Sequence, residues 1–172
     1  MTENAFYAAP DAIVNNVTGP ATAAVYKATR VEDTVLGEHV TIGDYSRVGQ
    51  SVFGDWSFLQ RNNMVYGATF GRYSYTGKNV TVWHAEIGAF CSISWNVSIG
   101  GADHDYTRLT THTFLYHPPF GLMPEGEEGY DRFAEPCVIG NDVVLDPVVL
   151  LEELAALKAE GLDASGLRIS NR

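Results

Sequence analysis

Four glycines, Gly37, Gly54, Gly71 and Gly88, recur at one interval of 17 residues. A fixed period of that length restricts a chain to a repeat architecture. Laid out by this period, segments begin at Leu36, Phe53, Phe70 and Ile87, and each divides into steps of six, six and five residues. One large apolar column reads Leu36, Phe53, Phe70, Ile87; the next reads Ile42, Leu59, Thr76, Ile93; the last reads Val48, Val65, Val82, Ile99. Two residues before most of these stand smaller side chains: Val40, Ser46, Ser57, Ser74, Val80, Cys91 and Val97. An amphipathic helix needs a period near 3.6 and a hairpin sheet needs turn pairs, and neither template fits. The pattern predicts a parallel β-helix of hexapeptide repeats, a three-sided coil of short strands whose aliphatic side chains stack from turn to turn. The glycine after each leading residue suits a corner where a Cβ would crowd the backbone or where φ must be positive.

Counting back by the period from Ile42 and Val48 reaches Val25 and Val31, so the coil is expected to begin near Gly19, with residues 1–18 irregular or forming a cap. The register then holds through residue 103. Residues 104–136 break it with three histidines, His104, His112 and His117, several prolines and exposed-looking aromatics, and a long loop in a compact domain is usually functional or disordered. The period resumes over residues 137–145. Asp146 at an N-cap and Pro147 at the first helical position, followed by Leu150, Leu151, Leu154 and Leu157 on one face, predict a C-terminal α-helix over 147–160. The tail is expected to fray or to add a strand at residues 167–169. At 172 residues this is one mainly β domain.

With 21 acidic and 11 basic residues the net charge is −10, which argues against nucleic acid, whose phosphates reward a basic surface. Cys91 and Cys137 both stand two residues before an aliphatic step, where a small buried thiol fits the core. No apolar run approaches the roughly 20 residues of a membrane span, and the first residues lack a signal pattern, so the expectation is a soluble cytoplasmic protein with no membrane partner.

A coil of aliphatic rungs has no reactive group in its core, so chemistry must sit on the loop, on outward side chains or between subunits. His104 is the leading candidate, flanked by Asp103 and Asp105 at the mouth of the loop. A neutral imidazole held through one nitrogen takes a proton with the other, and its pKa suits neutral pH. His39 shares a column with Trp56, Tyr73 and Phe90 and reads as a packing residue; His112 and His117 read as bonding the loop to itself; the acidic run at residues 125–128 reads as a solvated tip.

The run FCSISWNVSIGGADHDYTRLTTHTF, preceded by GRYSY and followed by EPCVIGNDV, resembles the hexapeptide-repeat xenobiotic acetyltransferases, which include the streptogramin and type B chloramphenicol acetyltransferases and related sugar O-acetyltransferases. The likeness spans about residues 44–143. It implies a left-handed coil, a cytoplasmic homotrimer with sites between subunits, acetyl-CoA as co-substrate, and no metal. It implies that His104 is the general base for transfer of acetyl to a hydroxyl or amine of an antibiotic or sugar-like acceptor. Trp83, His84, Trp95, Asp103 and Tyr106 are by that analogy candidates for lining the acceptor side. The chain departs from the family at Ser94, Thr113 and Val144, and lacks the further C-terminal coils that form much of the coenzyme-A groove. A trimeric scaffold or binding protein without catalysis is therefore the alternative. A γ-class carbonic anhydrase-like zinc site using His84, His104 and His112 or His117 is a minor one, because the paired histidines of that class are absent.

Overall fold

In the computed structural model, residues 5–107, 109–112, 114, 122, 130–145 and 159 are described. They form a parallel β-helix with the long inserted loop, consistent with the left-handed class that the sequence resembles. One set of two-residue strands makes a 7-stranded sheet: β1 (Tyr7–Ala8), β3 (Ala24–Val25), β5 (Thr41–Ile42), β8 (Phe58–Leu59), β10 (Tyr75–Thr76), β12 (Ser92–Ile93) and β15 (Val144–Leu145), in that spatial order. The other set makes an 8-stranded sheet running β2 (Ile13–Thr18), β4 (Arg30–Leu36), β6 (Arg47–Gly49), β9 (Met64–Phe70), β11 (Thr81–Ile87) and β13 (Ser98–Gly100). β7 (Val52–Phe53) pairs with β4 and β9, and β14 (Cys137–Ile139) pairs with β11. β4, β9 and β11 each bend through a residue of positive φ, Asp33, Gly67 and His84, so this sheet wraps two faces of the prism.

The coil begins one turn earlier than Gly19. Tyr7 pairs with Ala24 and Ile13 with Arg30, both at the 17-residue offset, and Phe6, 6% exposed, joins the core at that end. After the loop the register returns as Ala85↔Cys137 and Ser92↔Val144. The expected helix over 147–160 and the tail strand lie outside the described residues, Ala159 excepted. Among the described residues no helix is long and apolar enough to cross a membrane.

The three apolar columns meet on the axis, with Val25, Ile42, Leu59, Val31, Val65, Val82, Phe53, Phe70 and Ile87 all at 3% exposure or less. Phe53 and Phe70 stack at 5.0 Å and 17°. The small inward residues serve the corners. Ser57 Oγ donates to the Gly54 carbonyl at 2.6 Å and Ser74 Oγ to that of Gly88 at 2.6 Å. Buried Asn63 donates to the Gln60 and Gly77 carbonyls and to Thr76 Oγ1, and accepts from the Val80 N–H. These inward polar groups thus find partners that burial would otherwise deny them.

The glycines at 37, 54, 71 and 88 are required by close approach and not by φ, because none is at positive φ. A Cβ on Gly71 would lie 2.5 Å from both Ala89 N and Gly88 C of the next coil. Positive φ falls on other columns, one per corner: Asn16, Asp33, Gln50, Gly67, His84; then Ala28, Tyr45, Asn62, Asn79, Asn96; then His39, Trp56, Tyr73, Phe90, Asp142.

Candidate functional site

At the 17-residue step above His84 the chain reaches Gly101 and leaves the prism. Gly101 N–H still donates to the Trp83 carbonyl at 3.0 Å, which fixes the point of departure. A returning limb, residues 130–133, closes over this exit. The Asp103 N–H donates to the Arg132 carbonyl at 2.8 Å, and Arg132 Nε donates back to the Asp103 carbonyl at 3.4 Å. Phe133 then lies against Trp83 (6.4 Å, 22°) and edge-on to His84 (5.9 Å, 71°).

His104 follows at once and is exposed, with Nδ1 3.1 Å from the Thr111 carbonyl. A carbonyl oxygen only accepts, so in neutral His104 this contact places the proton on Nδ1 and the basic lone pair on Nε2. Asp105, 7% exposed, holds the next turn by accepting from the Thr107 N–H at 3.0 Å and the Thr107 hydroxyl at 2.6 Å. Buried carboxylate turns of this kind give a loop a fixed path. Tyr106 projects into solvent at 83% exposure.

The structure therefore joins Trp83, His84 and Asp103 through one limb and sets His104 beside them in sequence. It places Trp95 on another corner, that of Asn79 and Asn96, where Lys78 Nζ sits 4.8 Å from its ring centroid. Arg132, Phe133, Thr111 and Asp105 are elements of the site that no repeat pattern marks, since they lie in irregular chain. His84 Nε2 is buried with no hydrogen-bond partner among the described residues. Among the described residues no cluster of three or more His, Cys, Asp or Glu could hold a metal ion, and His117 of the zinc alternative lies outside them.

From Trp83 a groove of about 590 Å³ runs down the coil past Tyr66, Met64, Arg47 and Arg30. Tyr66 lies 5.1 Å from the Trp83 ring, over Gly49, where a Cβ would come within 2.9 Å of it. At the far end Arg30 Nη2 donates to Glu32 Oε1 at 2.8 Å. That hydrogen bond raises the Arg30 pKa and holds the Glu32 carboxyl below its ordinary range.

The fold and this exit define the chain as a parallel β-helix with an imidazole presented where a loop leaves the coil. No known family's pattern matches the chain. A stretch of 75 residues is 45% identical to the adenylosuccinate synthetase of Moorella thermoacetica, covering 42% of this chain and 16% of that enzyme. Matches of 51 residues to the synthetases of Shouchella clausii (53% identical) and Heliobacterium modesticaldum (61%) cover 30% of this chain and 11% of each enzyme. The chain thus spans about one-sixth or less of the length of these relatives. Among solved structures, the acetyltransferase domain of PglB from Neisseria gonorrhoeae aligns over 55% of this chain and 53% of that one, at 15% identity and a TM-score of 0.33. The same domain in complex with acetyl coenzyme A aligns with a TM-score of 0.26, covering 51% of that chain.

Proposed function

We propose that this chain is an acyltransferase that moves acetyl from acetyl-CoA to a hydroxyl or amine of a small molecule, an antibiotic or a sugar-like acceptor, with His104 as general base. The observation that carries the reading is the 3.1 Å contact of His104 Nδ1 with the Thr111 carbonyl at the loop exit. Held in that tautomer, Nε2 takes the proton of the acceptor O–H or N–H. The oxygen or nitrogen then attacks the thioester carbonyl carbon; the C–S bond breaks, and the coenzyme thiolate takes up the proton from the imidazolium. Trp83, His84, Asp103 and Tyr106 stand on the acceptor side in this reading, acetyl-CoA is the co-substrate, and the working unit is a cytoplasmic homotrimer with sites between subunits. The sequence resemblance supports these further features.

His104→Ala is expected to lower acetyl transfer by about 10²–10⁴-fold with the fold intact, as removal of a general base does. Unchanged turnover removes His104 from the mechanism. A scaffold without catalysis is the second reading, favoured by the departures at Ser94, Thr113 and Val144 from the family that the sequence resembles. Coenzyme A separates the two, because a ligand held only by the native state raises the melting temperature; no rise at saturating coenzyme leaves the scaffold. The likeness to the synthetases covers too little of those enzymes to carry their activity, and none is proposed.

A further inference from the structure

Arg30 and Arg47 are direct partners in the β4–β6 ladder, so two cationic side chains leave the same outward face one coil apart, about 4.8 Å. Like charges set opposite each other in a sheet cost stability unless each is matched. Arg30 is matched, because its Nη2 donates to Glu32 Oε1 at 2.8 Å within the same strand. Arg47 is not. Among the described residues its guanidinium has no carboxylate partner and no aromatic ring beneath it, whereas Lys27, Arg72 and Lys78 lie over Tyr45, Phe90 and Trp95. Its neighbours in the column are Arg30 below and Met64 above, and neither can balance its charge. Asp11, the other acid of the groove, stands beside Ile13, two coils lower. Arg61 also has no ion pair among the described residues, but it does not line the groove. Beside Arg47 the wall is cut away. Gly49 is buried and carries no side chain, and the Tyr66 ring of the next coil leans into the space, with Cδ2 2.9 Å from where a Cβ would stand. Tyr66 and Met64 nevertheless stay 38% and 42% exposed. The lower groove thus has an apolar floor of Gly49, Tyr66 and Met64 bordered by one unmatched cation.

We propose that this part of the groove binds a small aromatic monocarboxylate. The carboxylate accepts paired hydrogen bonds from the Arg47 guanidinium, whose planar fork matches its two oxygens. The ring of the ligand lies on the Tyr66 and Met64 surface, since aromatic and thioether groups both pack well against a ring. A cationic ligand would meet Arg30 and Arg47 together. A dianionic phosphate fits less well, because Glu32 and Asp11 line the same groove and a chain of net charge −10 repels each added negative charge. The site uses neither His104 nor acetyl-CoA, so it does not rest on the transferase reading.

The test is an NMR titration of the ¹⁵N-labelled full chain with 3-phenylpropanoate, following the backbone N–H resonances of Gly49 and Tyr66. The uncharged 3-phenylpropanamide and phenyl phosphate are the comparators. The acid is expected to shift both resonances saturably with a millimolar Kd, and the amide to bind at least about tenfold more weakly, as loss of a charge-assisted hydrogen bond does. Arg47→Gln, at an exposed position that makes no side-chain contact the fold needs, is expected to weaken the acid by the same factor and to leave the amide unchanged. Tyr66→Ala is expected to weaken acid and amide alike. His104→Ala is expected to change neither, so acetyl transfer and acid binding fail separately. The proposal is overturned by no shift at about 100 mM acid, far above the millimolar range of a weak site, or by acid and amide binding equally. Full acid affinity in Arg47→Gln overturns it too, as does tighter binding of phenyl phosphate, which would make this a phosphate site.

Discussion

Gly71→Ala tests whether close approach of the coils is what the repeated glycine provides. An added Cβ would stand 2.5 Å from Ala89 N and Gly88 C and 2.7 Å from Gly88 O. All three are backbone atoms, so no side chain can swing aside. Ordinary contact lies near 3.5 Å, so the two coils must part locally by about 1 Å. The Gly71 N–H to Ile87 carbonyl bond, 2.7 Å long, spans this gap and would be lost, and the Gly54 N–H to Phe70 bond at 2.8 Å is strained from the other side. Each is worth about 1 kcal/mol net, with more lost where the groups stay buried and unpaired. Against this, alanine restricts the unfolded chain and contributes about 0.4–1 kcal/mol of stability. The net expectation is destabilisation by about 2–3 kcal/mol, or a fall in melting temperature of about 4–12 °C for a chain of this size. Gly140 stands in the same column with nothing among the described residues within 4 Å of its Cβ position, so Gly140→Ala is expected to be neutral or slightly stabilising. Urea titration of both variants gives the comparison. Equal midpoints would refute the close-approach argument, since the two substitutions differ only in what lies above them.

Phe53→Ala, at a ring 2% exposed and stacked on Phe70, is expected to cost about 3–5 kcal/mol, and a urea midpoint within error of the parent would show that the axial core is not close-packed. The Arg30–Glu32 pair predicts a small pH dependence. The Glu32 pKa is depressed in the fold chiefly by the Arg30 hydrogen bond, so its contribution is present above the ordinary carboxylate range and disappears as pH falls through the lowered folded value. Glu32→Gln should therefore flatten stability against pH on the acid side only, and a change confined to neutral pH would contradict the assignment.

The repeat was readable because each coil places the same chemical demand on the same column. Val40, Ser57, Ser74 and Cys91 are all buried where a small inward residue was expected, and His39 stacks on Trp56 at 3.9 Å as the shared column implied. The first coil escaped because it lies at an end. Val14 and Val17, the inward partners of Val31 and Thr34, are only half-buried there, so the demand for regular aliphatic residues is relaxed and the period fades although the strand pairing does not. Left-handed corners escaped for another reason: positive φ is ordinarily signalled by glycine or asparagine, whereas here Trp56, Tyr73 and Phe90 adopt it at 60–63°. The site was legible only in part. His104 stood out beside two aspartates, but the Asp103–Arg132 bonds join residues 29 apart across chain with no period, and nothing local to either residue announces the other.

Those bulky corner residues also explain why the ends of the side-chain ladders matter. A non-glycine residue at positive φ costs about 1–2 kcal/mol, and the structure repeats that cost at every corner. Stacked rings return about 0.5–1.5 kcal/mol per pair and a side-chain hydrogen bond about 1 kcal/mol, so an interior rung with neighbours above and below roughly offsets its strain. Tyr73, between Trp56 at 6.2 Å and Phe90 at 5.1 Å, is such a rung, as is Asn79 between two amides. A terminal rung has only one neighbour. Phe90, the last ring of its column with Asp142 on the coil above, gains a further interaction, since the Arg72 guanidinium lies 5.6 Å over its ring. Asn96 has no equivalent among the described residues, and it carries the same φ of 60°. Among the described rungs its strain is offset from one side alone, by the 3.0 Å bond from Asn79, so the end of this ladder is held less tightly than its middle.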